Sequence, residues 1–349
     1  MSEPLLDVRD MVQEFVVRDR GGVKSGVVHA VSGVSFSLEA GETLGLVGET
    51  GSGKSTLARA VLQAPAPKSG SIRFRGVELV GLKRRPLADV RRHMQMVFQD
   101  PFGSLDPKWR VRELVEEPLV AFNTGSKAER RRRVDELLDR VGLDPARYSR
   151  RRPRELSGGQ AQRVAIARAL ALDPALVIWD EAVSALDVLI RAQILNLLER
   201  LRSELSLTYL FIAHDLALVK QVSDRVAVMY LGKLVELGPA EAIYREPLHP
   251  YTVALLASIP DPDPRAPRAP LAKTIRGELP SPIAPPSGCR FRTRCPRAQD
   301  ICAAEEPPLR QLGENHWAAC HFPVTEEAPA ATKGREPALS VTGEESKWQ

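Results

Sequence analysis

The amino-acid sequence predicts an α/β fold organised around a mostly parallel sheet. Three observations carry that expectation. Short, wholly apolar runs alternate with stretches of helical period. A glycine-rich loop, GETGSGKST, joins one such run directly to a helix. Further apolar runs end in a glutamine, a pair of carboxylates and a histidine, so that polar chemistry falls at strand ends.

In chain order, residues 5–17 and 27–38 alternate apolar and polar positions around a polar insert, RDRGGVKSG, and read as strands. Thr43–Val47 is a short apolar segment of the kind that sits inside a sheet, and TLARAVLQ after the loop reads as a helix. Residues 127–142 form a charged amphipathic helix with Val134, Leu137, Leu138 and Val141 at helical spacing. A second helix over Gln160–Leu172 is stopped by Asp173-Pro174. Ala175–Trp179 reads as a buried strand, 188–205 as a helix, and Thr208–Ala213 and Arg225–Tyr230 as strands. Composition changes near residue 240. From 260 to 286 the chain is proline-rich (IPDPDPRAPRAP, LPSPIAPP), which suits an extended strap, and the polar segment 326–349 is expected to be a disordered tail.

With 43 % hydrophobic and 27 % charged residues, the 349-residue chain has material for a packed core. No apolar run is long enough to cross a bilayer, and MSEPLLDVRDMVQEF lacks a basic-then-apolar signal pattern. A cytosolic protein is expected, acting on a membrane only from its surface or through a partner. The net charge of +5 gathers at Arg130–Arg133 and Arg150–Arg152, which read as solvated helix faces. No aromatics interleave with these runs, so no nucleic-acid partner is expected.

Gly48, Glu49, Thr50, Gly51, Ser52, Gly53, Lys54, Ser55 and Thr56 make a phosphate-binding loop in its proper setting, strand before and helix after. Glycines let backbone N–H groups curl round a β-phosphate, and the helix N-terminus adds its dipole. Lys54 should bridge β- and γ-oxygens, and Ser55 should place its hydroxyl on Mg²⁺. Asp180, ending the strand VIWD, can take Mg²⁺ through water, and Glu181 beside it can orient or deprotonate an attacking water. His214 in FIAHD and Gln99 in MVFQD also follow apolar strands. Alone, such residues read as a cap and a loop residue; together the four strand ends present Lys54/Ser55, Gln99, Asp180/Glu181 and His214 to one sheet edge.

A second glycine pair, in Leu156-Ser157-Gly158-Gly159-Gln160, opens a helix and is a further anion site. The order of phosphate loop, Gln99, LSGGQ, Asp180-Glu181, Ser184-Ala-Leu-Asp187 and His214 resembles the nucleotide-binding subunit of an ABC transporter over residues 5 to about 240. The resemblance implies a RecA-like P-loop ATPase core (1–240) with a helical subdomain inserted at about 100–165. It places Phe15 as the aromatic that stacks on adenine, Gln99 as a sensor of Mg²⁺ and the membrane subunits, Asp187 as the coupler of two active sites, and His214 against the γ-phosphate. It also implies that Ser157, Gly158, Gly159 and Gln160 meet the nucleotide of another subunit. The chain would therefore work as a head-to-tail dimer with a homologous ATPase, identical or paired, closed by ATP. Two transmembrane permease subunits and, indirectly, an extracytoplasmic solute-binding protein would complete the assembly at the cytoplasmic face of the inner membrane.

PLHPYTVALLASIPDPDP at 247–264 and QDPFGSLDPKWRVRELVEEPL at 99–119 resemble the oligopeptide, dipeptide and nickel importers, nearer the second ATPase of their pair. Peptide is favoured over nickel as the solute. A soluble ABC ATPase of repair or translation is the alternative, but the stretch from Lys54 to Ser157 is too short for long coiled coils and the chain has one motif set. Cys289, Cys295, Cys302 and Cys320 all lie in the extension 241–325, which is expected to be small and irregular. In a reducing compartment four thiols are a full ligand set for a metal centre. Spacings of five, six and seventeen intervening residues are wider than zinc-ribbon pairs. The resemblance to peptide importers favours [4Fe–4S], with Zn²⁺, drawing in His316 or His321, as the other reading.

Overall fold

The computed structural model describes residues 3–19, 21–259 and 277–324. The expected tail at 326–349 and most of the proline-rich strap lie outside the described residues. Two sheets are present among them. The larger has the order β11-β12-β10-β9-β3-β8-β7-β6, and the smaller β2-β1-β4-β5. The first elements are β1 (Leu6–Arg18), β2 (Lys24–Leu38), β3 (Thr43–Val47), α1 (Lys54–Val61), β4 (Ser69–Phe74) and β5 (Val77–Glu78). There follow α2 (Arg84–Arg91), β6 (Met94–Val97), α3 (Pro101–Ser104), α4 (Val111–Ala121), α5 (Lys127–Arg140), α6 (Pro145–Tyr148) and α7 (Gly158–Ala169). The chain continues through β7 (Leu176–Asp180), α8 (Val188–Leu205), β8 (Thr208–Ile212), α9 (Leu216–Val222), β9 (Arg225–Tyr230) and β10 (Lys233–Pro239). It ends with α10 (Ala240–Arg245), α11 (Pro250–Ala257), α12 (Ile301–Ala304), β11 (Arg310–Gly313) and β12 (His316–Ala318).

The centre of the large sheet is parallel: β3 pairs with β8 and β9, β7 with β8 and β6. These strands are mostly apolar, their polar residues falling chiefly at the ends, because both of their faces are covered. Leu176 and Ile178 of β7, with Leu210 and Ile212 of β8, join Leu44, Leu46 and the small sheet in one core. The alternate residues Val177, Trp179, Tyr209 and Phe211 join the helices in a second core. The period-two alternation of a strand thus feeds two separate hydrophobic layers.

Between residues 101 and 169 the chain is helical, and Val111, Leu114, Val115, Val134, Leu137 and Leu138 pack with Val164 and Ile166 of α7. Ser126 caps α5 by accepting from Glu129 N–H, while Glu129 reaches back to Ser126 N–H. The helix expected over Gln160–Leu172 stays regular to Ala169 and closes in a 3-10 turn at Leu170–Leu172 before Asp173-Pro174.

The C-terminal extension, expected to be small and irregular, folds back onto the large sheet. β12 pairs with β10 and β11 with β12, both antiparallel. Phe291 and Tyr251 are fully buried in the same core as the helices, and the Pro282 carbonyl accepts from His29 N–H of β2.

Candidate functional site

β3 delivers the chain into the glycine-rich loop, whose geometry tolerates nothing larger at two positions. Gly48 has φ +152° and Gly53 φ +107°. A Cβ on either would stand 2.1 Å from a backbone carbonyl oxygen, that of Met229 and of Ala30 respectively. Inside the loop Lys54 is 4 % exposed, and its ammonium donates to the carbonyls of Gly48 (2.8 Å) and Glu49 (3.1 Å). Burial holds its pKa below the usual lysine value, against the pull of Glu181, Asp180 and Glu49. Ser52 Oγ is buried without a hydrogen-bond partner, as a polar atom lining an anion cradle would be.

The parallel register brings the neighbouring strand ends to the same edge. Asp180, at the end of β7, accepts from Ser55 Oγ at 2.7 Å. Glu181 is the hub of the remainder. Its carboxylate lies 3.9 Å from Lys54 Nζ and 3.6 Å from His214 Nδ1, and it accepts from Gln99 Nε2 at 3.2 Å. Its backbone sits at φ +51°, a region sparsely used by non-glycine residues, held by Glu181 N–H donating to the Ile212 carbonyl at 3.0 Å. Four segments that are unremarkable singly therefore meet around one carboxylate.

The second glycine pair lies elsewhere. Ser157 is the N-cap of α7, its Oγ accepting from Gln160 N–H while Gln160 Oε1 accepts from Ser157 N–H. Gly159 presses on α8: a Cβ there would meet Ile190 Cγ2 at 2.5 Å. Among the described residues no hydrogen bond links Ser157–Gln160 to the phosphate loop of the same chain. Asp187 caps α8 by accepting from Ile190 N–H (2.9 Å), and the next two residues, Val188 and Leu189, are each 77 % exposed. Phe15 stands 41 % exposed on β1 in the small sheet, opposite Val28.

Two residues that the sequence did not single out reach the phosphate loop from the extension. The HPYT segment reads as a turn before a helix, and His249 is indeed the N-cap of α11, its Nδ1 accepting from Tyr251 N–H at 3.1 Å. Tyr251 itself is fully buried, and its phenol oxygen accepts from Glu49 N–H at 2.9 Å. Arg294, 8 % exposed, donates from Nη1 to both Glu49 carboxylate oxygens, at 2.9 and 3.1 Å. Phe291 packs edge-on against Tyr230, 5.2 Å between ring centres, and tilted against Tyr251. No local pattern marks a contact between residues 245 positions apart.

The four cysteines gather at one end of this extension. Burial pushes the Cys289 thiol up to about 11 and the Cys320 thiol up to about 12, and Cys320 also feels Cys289, Cys295 and Cys302. Cys289 N–H donates to the Cys302 carbonyl at 2.8 Å. The expected metal centre does not close, however. Among the described residues no three Cys, His, Asp or Glu side chains are grouped closely enough to hold a metal ion. His316 is taken by Glu236 (2.8 Å) and His321 faces the Glu305 carbonyl (3.1 Å). No helix among them is long and apolar enough to cross a membrane.

Known proteins resemble this chain in sequence and fold. Residues 31–184 match the family model described as ABC transporter, and 235–302 match that of the oligopeptide/dipeptide transporter C-terminal region. The chain is 49 % identical over 325 residues to the oligopeptide transport ATP-binding protein AppF of Bacillus subtilis, covering 92 % of this chain and 98 % of that one. It is also 49 % identical to the probable peptide ABC transporter ATP-binding protein y4tS of Sinorhizobium fredii, covering 95 % and 92 %. Among solved structures, the dimeric post-hydrolysis state of the ATP-binding cassette MJ0796 bound to ADP and Pi superposes with a TM-score of 0.61. It is 28 % identical and covers 67 % of this chain and 98 % of that one. The cbiO1 protein of Clostridium perfringens gives 0.60 at 29 % identity, covering 70 % and 92 %. The chain belongs to the ABC transporter ATP-binding proteins, in the group that carries the oligopeptide/dipeptide transporter C-terminal region.

Proposed function

We propose that this chain hydrolyses ATP as the nucleotide-binding subunit of an importer of di- or oligopeptides. The observation that carries the reading is the meeting of Lys54, Gln99 and His214 on the Glu181 carboxylate, beside the Ser55–Asp180 pair. The names of the relatives support peptide as the solute class.

The triphosphate binds along the loop 48–56, where backbone N–H groups and Lys54 neutralise its β- and γ-oxygens. Ser55 Oγ and Asp180 offer hard oxygen donors at one point, the donor type Mg²⁺ prefers, and Gln99 reaches the adjacent Glu181. Bound there, the ion would supply positive charge against the phosphate oxygens. Glu181 takes a proton from the water that attacks the γ-phosphorus. The new P–O bond forms as the bond from the γ-phosphorus to the bridging oxygen breaks, leaving ADP and inorganic phosphate. His214, near the same Glu181 oxygen as Gln99, holds that water and the γ-phosphate in line. Phe15 stacks on the base.

Ser157, Gly158, Gly159 and Gln160 at the start of α7 serve the nucleotide of a second, homologous ATPase subunit packed head to tail. Among the described residues their side chains bond only to one another and to Tyr148, and the exposed Val188 and Leu189 beside Asp187 offer an apolar surface to such a partner. ATP shared between subunits favours the closed pair by its differential affinity, and hydrolysis releases it. Two permease subunits would turn that cycle into transport at the cytoplasmic face of the membrane. Residues 1–240 form the ATPase domain, with helices of about 100–165 as its subdomain and 241–325 as the extension. The cysteines of that extension have the donor chemistry for [4Fe–4S] or Zn²⁺ but not the grouping, and no step depends on them; metal and acid-labile sulfide analysis of anaerobically purified protein decides between a centre and free thiols.

The reading is tested with Glu181→Gln. Hydrolysis should fall by about 10²- to 10⁴-fold while ATP still binds. Turnover at the wild-type rate would remove Glu181 as the base.

A further inference from the structure

We propose that the C-terminal extension is a working part of the nucleotide site: Arg294 neutralises the Glu49 carboxylate inside the phosphate loop, and Tyr251 pins that residue's backbone. The proposal rests on reading the loop 48–56 as the seat of the triphosphate.

Glu49 presents a difficulty to any polyanion. It is the second residue of the loop, after Gly48, and opens the turn closed by Ser52 N–H donating to the Glu49 carbonyl at 3.1 Å. An unpaired carboxylate there would repel phosphate oxygens at short range in a partly desolvated setting. Arg294 removes that charge from play. Its guanidinium is almost fully buried, touches both carboxylate oxygens, and lies over the Tyr230 ring at 5.8 Å. Tyr251 fixes the main chain of the same residue by accepting its N–H, and burial holds the phenol neutral by pushing its pKa up. That N–H is thereby committed to the brace, so Glu49 gives the loop its shape.

The brace is carried by the cysteine-bearing turn. Arg294 lies between Cys289 and Cys295, Phe291 of the same turn wedges among Tyr230, His249 and Tyr251, and Arg290 donates to the Leu231 carbonyl. Leu231 precedes Gly232, whose N–H donates to the Ser52 carbonyl at 2.8 Å. The turn 289–295 therefore reaches the phosphate loop by two routes, through Glu49 and through Ser52. Arg294 is a positioning residue: it touches Glu49, not the substrate.

The test measures ATP affinity of the full chain with a ribose-labelled fluorescent ATP, together with KM, kcat and the thermal midpoint. Arg294→Ala should weaken binding about 5- to 30-fold and raise KM in parallel, with kcat little changed. Adding Glu49→Gln to Arg294→Ala should restore affinity to within about threefold of wild type, because the repelling charge is gone. Arg294→Lys, which keeps the charge but loses the planar guanidinium that lies over the Tyr230 ring, should fall between. An Arg294→Ala variant that binds within twofold of wild type overturns the proposal. So does a weakened variant that Glu49→Gln fails to rescue, or a drop in midpoint with no change in affinity. Should Lys54→Ala bind the probe as wild type does, the failure lies with the phosphate-loop reading and not with the brace.

Discussion

Lowering the pH from 7.5 to 5 should destabilise this protein through one buried histidine. His249 is 1 % exposed, and burial pushes its pKa down to about 4, the neighbouring Glu236 carboxylate opposing the shift. Its Nδ1 must stay unprotonated to accept Tyr251 N–H, so protonation also breaks the cap of α11. The groups facing it are Glu236, which accepts from His249 N–H (2.9 Å) and from His316 Nε2, and the Phe291 ring. In the unfolded chain the imidazole titrates near 6.5, so between 6.5 and 4 the unfolded state binds the proton that the folded state refuses. Stability from this site is full above 6.5 and is lost as the pH falls. Linkage gives a loss of about 2 kcal/mol between pH 7.5 and 5. Urea unfolding at both pH values measures it, with His249→Asn as the comparison, since asparagine keeps an N-cap acceptor but does not titrate. The variant should show a pH dependence flatter by about 2 kcal/mol. Parallel behaviour of the two proteins would refute the reasoning and place the acid sensitivity elsewhere.

Two substitutions probe the close approaches of the site. Gly159→Ala puts a methyl 2.5 Å from Ile190 Cγ2 and should cost about 1–3 kcal/mol in thermal unfolding, recovered in part by Ile190→Ala, which removes that methyl. Gly53→Ala faces a backbone carbonyl at 2.1 Å that cannot yield, so ATP binding by fluorescence titration should drop by more than about tenfold.

The core ATPase geometry was legible in the sequence because it is built from local signals. LGLV and LVIW carry no polar side chain since each strand feeds two cores, and a polar residue directly after such a run lands at the sheet edge. The small sheet was half visible: Leu6–Arg18 and Lys24–Leu38 alternate, whereas Val77–Glu78 is too short to show any period. The brace on Glu49 was not legible. Tyr251 is one aromatic in an apolar helix and Arg294 one of many arginines in a basic turn, and their roles come only from long-range folding. The cysteines are the converse case. Four thiols in one segment suggested a metal centre, but composition cannot say whether side chains converge on a single point, and among the described residues they do not group closely enough.

The central claim is that one chain holds the phosphate loop and a separate glycine pair that needs another subunit's nucleotide. Light scattering of the Glu181→Gln protein with and without MgATP tests it most directly. The mass should double with ATP, alone or on addition of its homologous partner chain, and Ser157→Arg should abolish the doubling. A particle that stays single under all of these conditions while the wild-type protein hydrolyses ATP would contradict it.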